Sequence, residues 1–329
     1  MRIGTNPNIH KEIDILQKSH RVIIPVYIPN FEGYFKDSLN VFKVCIESLL
    51  LTINTDTVIS VISNASCDEV NQYIFNLKKE KKIDRAIFNE ENVGKMNAII
   101  AEARASFEDI ITFSDADVFF DKNWLSNTFN IFNNFPKAGL VSMNPMPGSY
   151  GFAASTIFSN IFVLKKEKTS ELCSFSDLEN FHKSIGRDKK LTEQLYNKNI
   201  AYLKSNNVNA LIGAGHFCCT IKRTLTLNYV PKEKSNKAAS GGSETKYLDI
   251  PLDISHQWRL SSTKAYIWHM GNTLEKELYL EKLESLKSFK EKNFNFHGLM
   301  HDNSYLFSKF IPYKLKLKLV SFIKKQFLK

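Results

Sequence analysis

The sequence predicts an α/β fold in which a mixed sheet lies between layers of helices. From residue 21 to residue 120, short runs rich in β-branched residues alternate with longer segments whose apolar residues recur at helical spacing. Strand and helix follow each other in the order typical of parallel strands covered by their connecting helices. The chain has 329 residues, of which 43% are hydrophobic, which is enough for one large domain or two small ones.

The first half of the chain contains the clearest elements. We predict strands at residues 21–27, 57–62 and 85–88 and a fourth strand in the stretch 109–120, with the two aspartates of that stretch at its carboxyl end; helices at 39–53, 66–77 and 92–103 separate the strands. A capping box from Ser66 to Glu69 is expected to begin the second of these helices. A helix at 124–135 and a strand at 139–143 follow, with Pro136 ending the helix.

The second half is less regular. Residues 165–204 are charged and helical in character and suggest an insertion, whereas residues 209–221 are apolar with glycines in the middle. A polar, glycine-rich segment at 232–246 is expected to be a mobile loop of the kind that often forms a lid. Residues 265–270 predict a strand, and residues 274–289 predict an amphipathic helix.

Positive charge is concentrated at the C-terminal end. The formal net charge is +10, and residues 303–329 contain seven lysines and no acidic residue. The body is therefore only mildly basic, which argues against nucleic-acid binding. In the tail these lysines alternate with apolar residues, a pattern suited either to an anionic membrane surface or to packing against the body.

Cysteine content and hydropathy indicate the compartment. Five cysteines without a C-x-x-C pair are typical of free thiols in a reducing environment. The first 21 residues are polar and charged, unlike a signal peptide, and no apolar run reaches the length of a membrane span. We expect a cytoplasmic protein, peripheral at the inner face of the cytoplasmic membrane if the tail binds lipid.

Two aspartates one residue apart mark the candidate ligand site. Asp115 and Asp117 follow an apolar run that begins after Asp109, and the chain is apolar again after them. Carboxylates at the end of a buried strand are costly unless a cation or hydrogen-bond donors compensate them. Ligands of open α/β sheets bind at the carboxyl ends of the strands. The pair is a candidate site for a divalent metal with phosphate; the alternative is an ordinary turn into solvent.

The order of the motifs resembles family 2 glycosyltransferases with the GT-A fold. The resemblance covers roughly residues 21–272 and rests on the first strand with Pro25, Ser63-Asn64-Ala65-Ser66, Asn92-Val93-Gly94-Lys95-Met96-Asn97, Asp115-Ala116-Asp117, Gly213-Ala214-Gly215-His216, residues 249–259 and His269-Met270-Gly271-Asn272. It implies a GT-A catalytic domain at 21–272, with a nucleotide-binding half at 21–145 and an acceptor half at 146–272. An N-terminal arm at 1–20 and a basic, amphipathic helical tail at 273–329 would flank this domain.

The resemblance also implies an activity. The enzyme would move a sugar from a nucleotide-diphosphate donor, expected to be UDP-linked, to a glycan or lipid-linked acceptor in surface polysaccharide synthesis, with inversion. A divalent cation, Mn²⁺ or Mg²⁺, would stabilise the departing diphosphate, and carboxylates are its usual ligands. By resemblance Asp117 ligates the metal, Asp115 lies near the metal and the ribose or donor sugar, and His269 completes the metal site. The alternative for His269 is an ordinary core histidine.

The same resemblance assigns further binding residues. In the nucleotide half the donor would be bound by Pro25, Tyr27, Asn64, Asn92, Gly94 and Lys95. In the acceptor half Gly213, Gly215 and His216 fall in the region that contacts the acceptor. Tyr27 is alternatively a packing residue and Lys95 a solvated helix lysine.

An inverting transfer needs a general base that takes the proton of the acceptor hydroxyl. The resemblance implies a carboxylate just before a helix, but the adjacent Glu-Asp pair of the family is absent here. Asp249 is the favoured candidate, followed by Asp253, and Glu244 is a third. For Asp249 the alternative is a helix N-cap.

Two other functions are compatible with the sequence. A haloacid-dehalogenase-like phosphatase also places Asp-x-Asp after an apolar strand and would use Asp115 and Asp117. In that fold the motif normally comes first, whereas here several elements precede it. A non-catalytic protein that binds a membrane surface would keep the fold without turnover.

Overall fold

A ten-stranded mixed sheet forms the centre of the protein in the computed structural model, which describes residues 3–12, 18–151, 153–223, 227–239, 242–293 and 312–328. The described strands, in chain order, are β1 (His20–Val26), β2 (Thr57–Asn64), β3 (Arg85–Asn89), β4 (Ile110–Ser114), β5 (Val118–Phe120), β6 (Ala138–Ser142), β7 (Leu164–Lys168), β8 (Asn199–Ser205), β9 (Val208–Ile212), β10 (Cys218–Lys222), β11 (Trp258–Ser261) and β12 (Ile267–His269). Of these, β5 and β12 form a separate antiparallel pair.

Helices cover both faces of the sheet. The described helices are α1 (Ser38–Thr52), α2 (Asp68–Lys79), α3 (Lys95–Arg104), α4 (Trp124–Asn134), α5 (Ser155–Phe158), α6 (Thr169–Leu172), α7 (Phe175–Ser184), α8 (Lys189–Tyr196), α9 (Ile250–Ile254), α10 (Lys276–Leu286) and α11 (Tyr313–Leu328). A wider helical turn, Thr245–Asp249, leads directly into α9. Within the described part of the chain, no helix combines the length and apolarity needed to cross a membrane.

The strand order places one antiparallel strand at the middle of the sheet. The order is β3-β2-β1-β4-β10-β6-β11-β9-β8-β7; β1 is parallel to β2 and β4, whereas β10 runs antiparallel between β4 and β6. Because Cys218 at the start of β10 pairs with Ser114 at the end of β4, the loop before β10 lies where β4 ends. The predicted α/β class, a mixed sheet between helices, is confirmed.

The alternation of side chains along β1 builds two apolar layers. Val22 and Ile24 pack in one cluster with Phe42 of α1, whereas Ile23 packs in a second cluster with Ile99 of α3. A strand buried on both faces reads as a continuous apolar run, as predicted for the first strand. The two layers fix the sheet rigidly, so that the loops at the strand ends start from defined positions.

Three predicted elements differ from the structure at polar or glycine-containing positions. The stretch 109–120 contains the predicted strand, β4, which ends just before Asp115, and a second short strand, β5, because the turn through Asp115, Ala116 and Asp117 leaves the sheet after β4. Residues 209–221 likewise form β9 and β10 with a loop between them. Residues 165–204 are helical only in the middle, since β7 and β8 at their ends pair with each other and extend the sheet.

The predicted capping box does not form. The Ser66 hydroxyl instead donates to the carbonyl of Val26 and accepts the amide of Ile28, so that it ties the end of β1 to the start of α2. Cys67 precedes α2 without a side-chain cap. The hydrogen bonds of Ser66 to the distant residues Val26 and Ile28 have therefore replaced the predicted local bond within the capping box.

Parts of the predicted arm and tail cannot be compared with the structure. Residues 1–2, 13–17, 294–311 and 329 lie outside the described residues, as do residues 240–241 of the predicted loop. The remainder of the tail is helical throughout α11, although leucines and lysines alternate at strand period between residues 315 and 319.

Two buried polar residues begin β1. Arg21 donates through Nε and Nη2 to the two carboxylate oxygens of Glu108, at 2.9 and 2.7 Å. The ring nitrogens of His20 lie 3.0 Å from the Thr57 hydroxyl and 2.8 Å from the Thr112 hydroxyl. Burial of the ring lowers the pKa of His20 to about 3, so the imidazole is neutral in the folded protein at neutral pH.

Because His20 is neutral in the folded protein, the free energy of unfolding depends on pH. Its pKa in the folded protein, about 3, lies below the ordinary value of 6.5, so its contribution is complete above pH 6.5 and is lost as the pH falls towards 3. We expect this residue alone to lower the free energy of unfolding by about 2 kcal/mol between pH 6.5 and pH 5. Urea unfolding across this range should show a shallower pH dependence for His20→Gln than for the wild type, and parallel curves would contradict the prediction.

Candidate active site

A cavity of about 430 Å³ opens at the carboxyl ends of β1, β2 and β4, and we call it the Asp115 cavity. Seven of the predicted donor and metal residues line it: Pro25, Tyr27, Asn64, Asn92, Lys95, Asp115 and Asp117. They come together because parallel strands end at one edge of the sheet, which is where ligands of open α/β sheets bind. Gly94 and His269 lie outside this lining.

Pro25 lies inside β1 rather than at its end. The pairing of β1 with β4 stops at Ile23, while the pairing with β2 continues through Pro25 to Val26. A proline is tolerated there because it has no amide hydrogen to offer and β4 no longer runs beside it. At the cavity, the part of β1 that contains Pro25 is therefore paired with β2 and not with β4.

Lys95 and Asp115 form an ion pair at the inner wall of the Asp115 cavity. Lys95 Nζ lies 2.5 Å from Asp115 Oδ1 and 4.0 Å from Glu244 Oε1, and it donates to the carbonyl of His216 at 3.4 Å. Burial opposes the positive charge, but the Asp115 carboxylate raises the pKa of Lys95 above its ordinary value. Lys95 is thus not a solvated helix lysine, and it joins α3 to the acceptor half.

Asp117 carries a carboxylate that the described residues satisfy poorly. Its Oδ1 is buried without a hydrogen-bond partner, and its Oδ2 lies 3.4 Å from Nε2 of His269. Burial raises the pKa of Asp117, with His269 opposing this effect and Asp115 adding to it. A carboxylate in this position needs a cation.

The hydrogen bonds of His269 leave one ring nitrogen for such a cation. The Ser184 hydroxyl donates to the carbonyl of Phe181, so it can only accept from Nδ1 of His269, at 3.0 Å. This places the hydrogen of a neutral imidazole on Nδ1 and the lone pair on Nε2, which faces Asp117. Histidines that ligate metals are commonly oriented in this way by a hydrogen bond to the other nitrogen.

The residues present therefore fit a divalent metal between Asp117 and His269. No cluster of three or more histidine, cysteine, aspartate or glutamate side chains arranged for metal binding occurs among the described residues. A site with two protein ligands leaves positions for phosphate oxygens and water, as is common for Mg²⁺. The orphaned Oδ1 of Asp117 is the observation that favours this arrangement.

Asn64 and Asn92 shape the loop between β3 and α3. Asn64 Nδ2 donates to Asn92 Oδ1 at 2.8 Å, and Asn64 Oδ1 accepts from Asn89 and from the amide of Val93. Asn92 Oδ1 also accepts the amide of Gly94. Both side chains line the cavity, but these bonds use most of the hydrogen-bonding capacity of Asn64.

An aromatic wall faces the cavity from β1 and the following turn. The rings of Tyr27 and Phe35 meet edge to face at 5.9 Å, and Tyr34 meets Phe35 in the same way at 5.3 Å. Tyr34, Phe35 and Asn272 line the cavity and were not identified from the sequence. Two consecutive aromatic residues after Gly33 were the available signal, since a base stacks well on exposed rings.

The segment 232–239 packs against the start of α3. Ala238 accepts the amide of Lys95 at 2.7 Å, and Asn97 exchanges two hydrogen bonds with Ser235. Gly94 has a φ of +85°, and a Cβ there would lie 2.7 Å from the carbonyl oxygen of Lys237. Gly94 thus lets the segment close on α3, and the described part of the predicted mobile loop is held in place.

A second cavity, of about 670 Å³, adjoins the first, and we call it the His216 cavity. His216, Asp249, Arg259 and His269 line it, together with Phe181 and Phe217, whose rings stack at 5.3 Å. It meets the Asp115 cavity where His269 lies beside Asp117. Of the predicted acceptor residues, His216 and Gly215 line this cavity.

Gly213 contributes to the site through the backbone. Its φ of +107° is accessible mainly to glycine, and a Cβ would collide with the carbonyl of Ser149. Its amide donates to the carbonyl of Arg259 at 2.8 Å. Gly213 therefore starts the loop that carries His216 between β9 and β10.

Asp249 is buried, and both of its carboxylate oxygens accept hydrogen bonds. Its Oδ1 accepts from His216 Nε2 and from Arg259 Nη1, each at 2.8 Å, and its Oδ2 accepts from the Thr245 hydroxyl at 3.3 Å. Burial opposes ionisation, but the His216 hydrogen bond and the Arg259 charge lower the pKa of Asp249 below its ordinary value. It lies within a continuous helical segment and does not act as an N-cap.

Asp253 and Glu244, the other candidate bases, do not line the His216 cavity. Asp253 accepts the amides of Ser155 and Thr156, the Ser155 hydroxyl and the Tyr313 hydroxyl, and these bonds lower its pKa although burial opposes them. A buried carboxylate with four donors is a structural anchor and a poor base, so the structure does not bring Asp253 to the site. Glu244 lies beside Lys95.

Comparison with known protein families gives a match in the first part of the chain. Residues 22–170, less than half of the 329 residues, match the model of Glycosyl transferase family 2. The matched segment contains the Asp115 cavity residues from Pro25 to Asp117 and ends before His216, Asp249 and His269. The match is to a glycosyltransferase family and gives no support to the phosphatase alternative.

Several solved structures are similar to the chain at low sequence identity, and the chain spans less than two thirds of the length of two of the three that follow. TarS 1–349 from S. aureus in complex with UDP-GlcNAc shares 16% identity over 40% of this chain and 37% of that chain, with a TM-score of 0.32. A second structure of TarS 1–349 is 12% identical, and the match covers 82% of this chain and 70% of that chain, with a TM-score of 0.43. The mannosyltransferase PcManGT from Pyrobaculum calidifontis, in complex with GDP-Man and Mn²⁺, is 12% identical. That match covers 78% of this chain and 61% of that chain, with a TM-score of 0.40. No curated protein matches the chain.

Gly94→Ala should loosen the segment 232–239. The alanine would combine a strained φ with a contact of 2.7 Å to Lys237, whereas Gly186, with a φ of +69° and open space around it, provides a control for strain alone. We expect trypsin to cut after Lys234 or Lys237 about tenfold faster in Gly94→Ala, which corresponds to about 1.4 kcal/mol of local opening. Mass spectrometry of the fragments measures this rate, and equal rates in Gly94→Ala and Gly186→Ala would contradict the role of the contact.

Proposed function

We propose that the enzyme transfers a sugar from a nucleotide diphosphate to an acceptor hydroxyl, with a divalent metal held by Asp117 and His269. The observation that carries the proposal is made on the Asp117 carboxylate, whose Oδ1 is buried without a hydrogen-bond partner among the described residues and whose Oδ2 lies 3.4 Å from Nε2 of His269. The hydrogen bond between Nδ1 and Ser184 leaves the lone pair of a neutral His269 on Nε2. When bound, the metal would supply Lewis-acid stabilisation of the departing diphosphate. Mn²⁺ or Mg²⁺ would be held chiefly by the Asp117 carboxylate and by phosphate and water oxygens, which are the ligands that these ions prefer.

The residues of the Asp115 cavity have separate tasks in donor binding. Tyr27 and Tyr34 offer exposed rings for the base, and their exposed fractions are 44% and 66%. Asp115 lines the same cavity as the aromatic wall and Asp117, its pair with Lys95 holds it there, and we assign it to the ribose or donor sugar. A UDP-linked sugar remains the expected donor, and the neighbouring structures described above contain UDP-GlcNAc in one case and GDP-mannose in another.

The His216 cavity is the proposed acceptor site, and its extent favours a lipid-linked acceptor. Gly151 and Thr245 line both this cavity and a further one of about 310 Å³ that lies beneath α11. Tyr313, Leu317 and Val320 of α11 form the wall of the further cavity. A long apolar acceptor could thus run from α11 to the His216 cavity, where Phe181 and Phe217 offer rings to a sugar.

The outer face of α11 is suited to an anionic membrane surface. Its inner face packs on the body, with Val320 2% exposed and Lys316 donating to the Thr156 hydroxyl. Leu315, Leu319 and Phe322, at helical spacing on the outer face, are 55–65% exposed. The exposed lysines beside them, with no acidic residue in α11, provide the charge complementarity: Lys314, Lys318 and Lys325. In this proposal α11 packs against the body through one face and binds the membrane through the other, which would hold the enzyme at the inner face of the cytoplasmic membrane.

A thermal-shift panel of UDP-linked hexoses, UDP-GlcNAc and GDP-mannose, with and without Mn²⁺, tests the donor site. A ligand at about 100 times its Kd adds about 2.7 kcal/mol to the free energy of unfolding, so Tm should rise with the correct donor and Mn²⁺. Asp117→Asn should abolish this rise, because the amide cannot serve as an anionic metal ligand. Asp121→Asn, at the other end of β5, is the matched control and should keep it. Equal shifts in EDTA and Mn²⁺, or an undiminished shift in Asp117→Asn, would contradict the proposal.

Co-sedimentation with vesicles tests the role of α11. Each lysine near an anionic surface contributes about 1 kcal/mol, so a variant with Lys314, Lys318 and Lys325 all changed to Gln should bind phosphatidylglycerol-containing vesicles about 100-fold more weakly. The matched control changes Lys79, Lys81 and Lys82 near the end of α2, which removes the same charge from exposed positions elsewhere. Equal losses in the two variants, or equal binding to neutral vesicles, would contradict docking through α11.

A further inference from the structure

The carboxylates considered as general bases are poorly placed to accept a proton. Asp253 lies outside the His216 cavity with its oxygens occupied by four donors, and Asp249 accepts from His216, Arg259 and Thr245. Asp249 is also buried, so a substrate hydroxyl has little access to it. Glu244 does not line this cavity, and its carboxylate lies 4.0 Å from the ammonium of Lys95. Another group at the cavity must take the proton of the acceptor.

We propose that His216 is the catalytic base of the transfer and that Asp249 is its positioning residue. This inference rests on the proposed function and deepens it. The His216 side chain lines the cavity and is 27% exposed, in contrast to Asp249 at 4%. It lies on the loop between β9 and β10, which the antiparallel β10 brings to the carboxyl end of β4.

The hydrogen bond to Asp249 sets the chemistry of the ring. An ionised carboxylate only accepts hydrogen bonds, so at 2.8 Å from Asp249 Oδ1 the Nε2 of His216 must carry a hydrogen. The lone pair of the neutral ring is then on Nδ1, for which the described residues provide no hydrogen-bond partner. A carboxylate that holds an imidazole in its reactive tautomer is the arrangement used by catalytic triads.

The position of the base agrees with the path of the reaction. The two cavities meet where His269 lies beside Asp117, and Lys95 connects Asp115 with the backbone of His216. A donor whose diphosphate lies at Asp117 would direct its sugar towards the His216 cavity. The acceptor oxygen forms a bond to the anomeric carbon, the bond from that carbon to phosphate oxygen breaks with its electron pair on the diphosphate, and the hydroxyl proton passes to Nδ1.

Arg259 explains why Asp249 stays ionised while it orients the ring. The guanidinium lies 2.8 Å from the same carboxylate oxygen that accepts from His216. Arg259 is itself buried at 7% exposure and donates to the carbonyl of Ala153, so it is held in place from the β11 side. The imidazole of His216 is therefore positioned by three elements. They are the loop before β10, which carries it, the helical segment before α9, which carries Asp249, and β11, which carries Arg259.

The tautomer can be measured without any substrate. In the full chain labelled with ¹⁵N-histidine, His216, assigned through His216→Gln, should show its hydrogen on Nε2, and Asp249→Asn should remove this preference. A spectrum with the hydrogen on Nδ1 in the wild type would overturn the proposal, because that nitrogen would have no lone pair to offer.

Donor hydrolysis, in which water replaces the acceptor, tests the catalytic role. With the nucleotide sugar that gives the largest thermal shift, His216→Gln should release nucleotide about 10²–10³-fold more slowly, while the shift itself is unchanged. His182→Gln is the matched control, since His182 is bonded to Thr192 away from both cavities. Added imidazole should restore part of the rate in His216→Ala.

The outcomes separate the inference from the proposed function. A wild-type chain that no nucleotide sugar stabilises would refute the proposed function itself. A chain that binds donor normally, but in which His216→Gln hydrolyses it at the wild-type rate, would refute only the assignment of His216. Loss of the thermal shift in His216→Gln would also refute it, since the residue would then act in donor binding.

Discussion

The ion pair between Lys95 and Asp115 is the constraint on which the geometry of the site depends. A buried ammonium is costly unless anions and acceptors surround it, and here the Asp115 carboxylate, the Glu244 carboxylate and the His216 carbonyl do so. These three partners belong to the end of β4, the helical segment before α9 and the loop before β10. Because one cation satisfies all of them, the two halves of the domain have a fixed relation at the point where the cavities meet.

The antiparallel direction of β10 brings the loop before it to the carboxyl end of β4, beside the proposed donor site. A parallel strand in its place would have carried its preceding loop to the opposite edge, away from Asp117. With β10 reversed, the loop through Gly213 and His216 lies at the end of β4, and β11 places Arg259 beside it. The proposed donor residues follow parallel strands, whereas the proposed base lies on the loop that the antiparallel β10 brings to the end of β4.

Sequence patterns predicted the parts of the protein that local chemistry determines. The alternation of strands and helices and the position of Asp115 and Asp117 after a buried run follow from periodicity and the geometry of parallel strands. The choice of Pro25, Tyr27 and Asn64 as binding residues came from the resemblance to family 2 glycosyltransferases.

What the sequence could not predict depends on contacts between distant residues. Asp249 and Asp253 have the same residue type and similar surroundings in the sequence, yet one orients His216 and the other holds the amides of Ser155 and Thr156. The partner of His269, the hydroxyl of Ser184, is 85 residues away and gives no local signal. The capping box at Ser66 failed for the same reason, because Val26 and Ile28 competed for the hydroxyl.

Asp253 has a consequence that reaches beyond its own hydrogen bonds. Its carboxylate joins the start of α5, the helix α9 and the hydroxyl of Tyr313 in α11, while Lys316 of α11 bonds to Thr156 next to it. If α11 binds a membrane surface as proposed, binding that requires this packing would also stabilise the segment that carries Asp249. Attachment at a bilayer and order around Asp249 would then be thermodynamically linked through this one carboxylate.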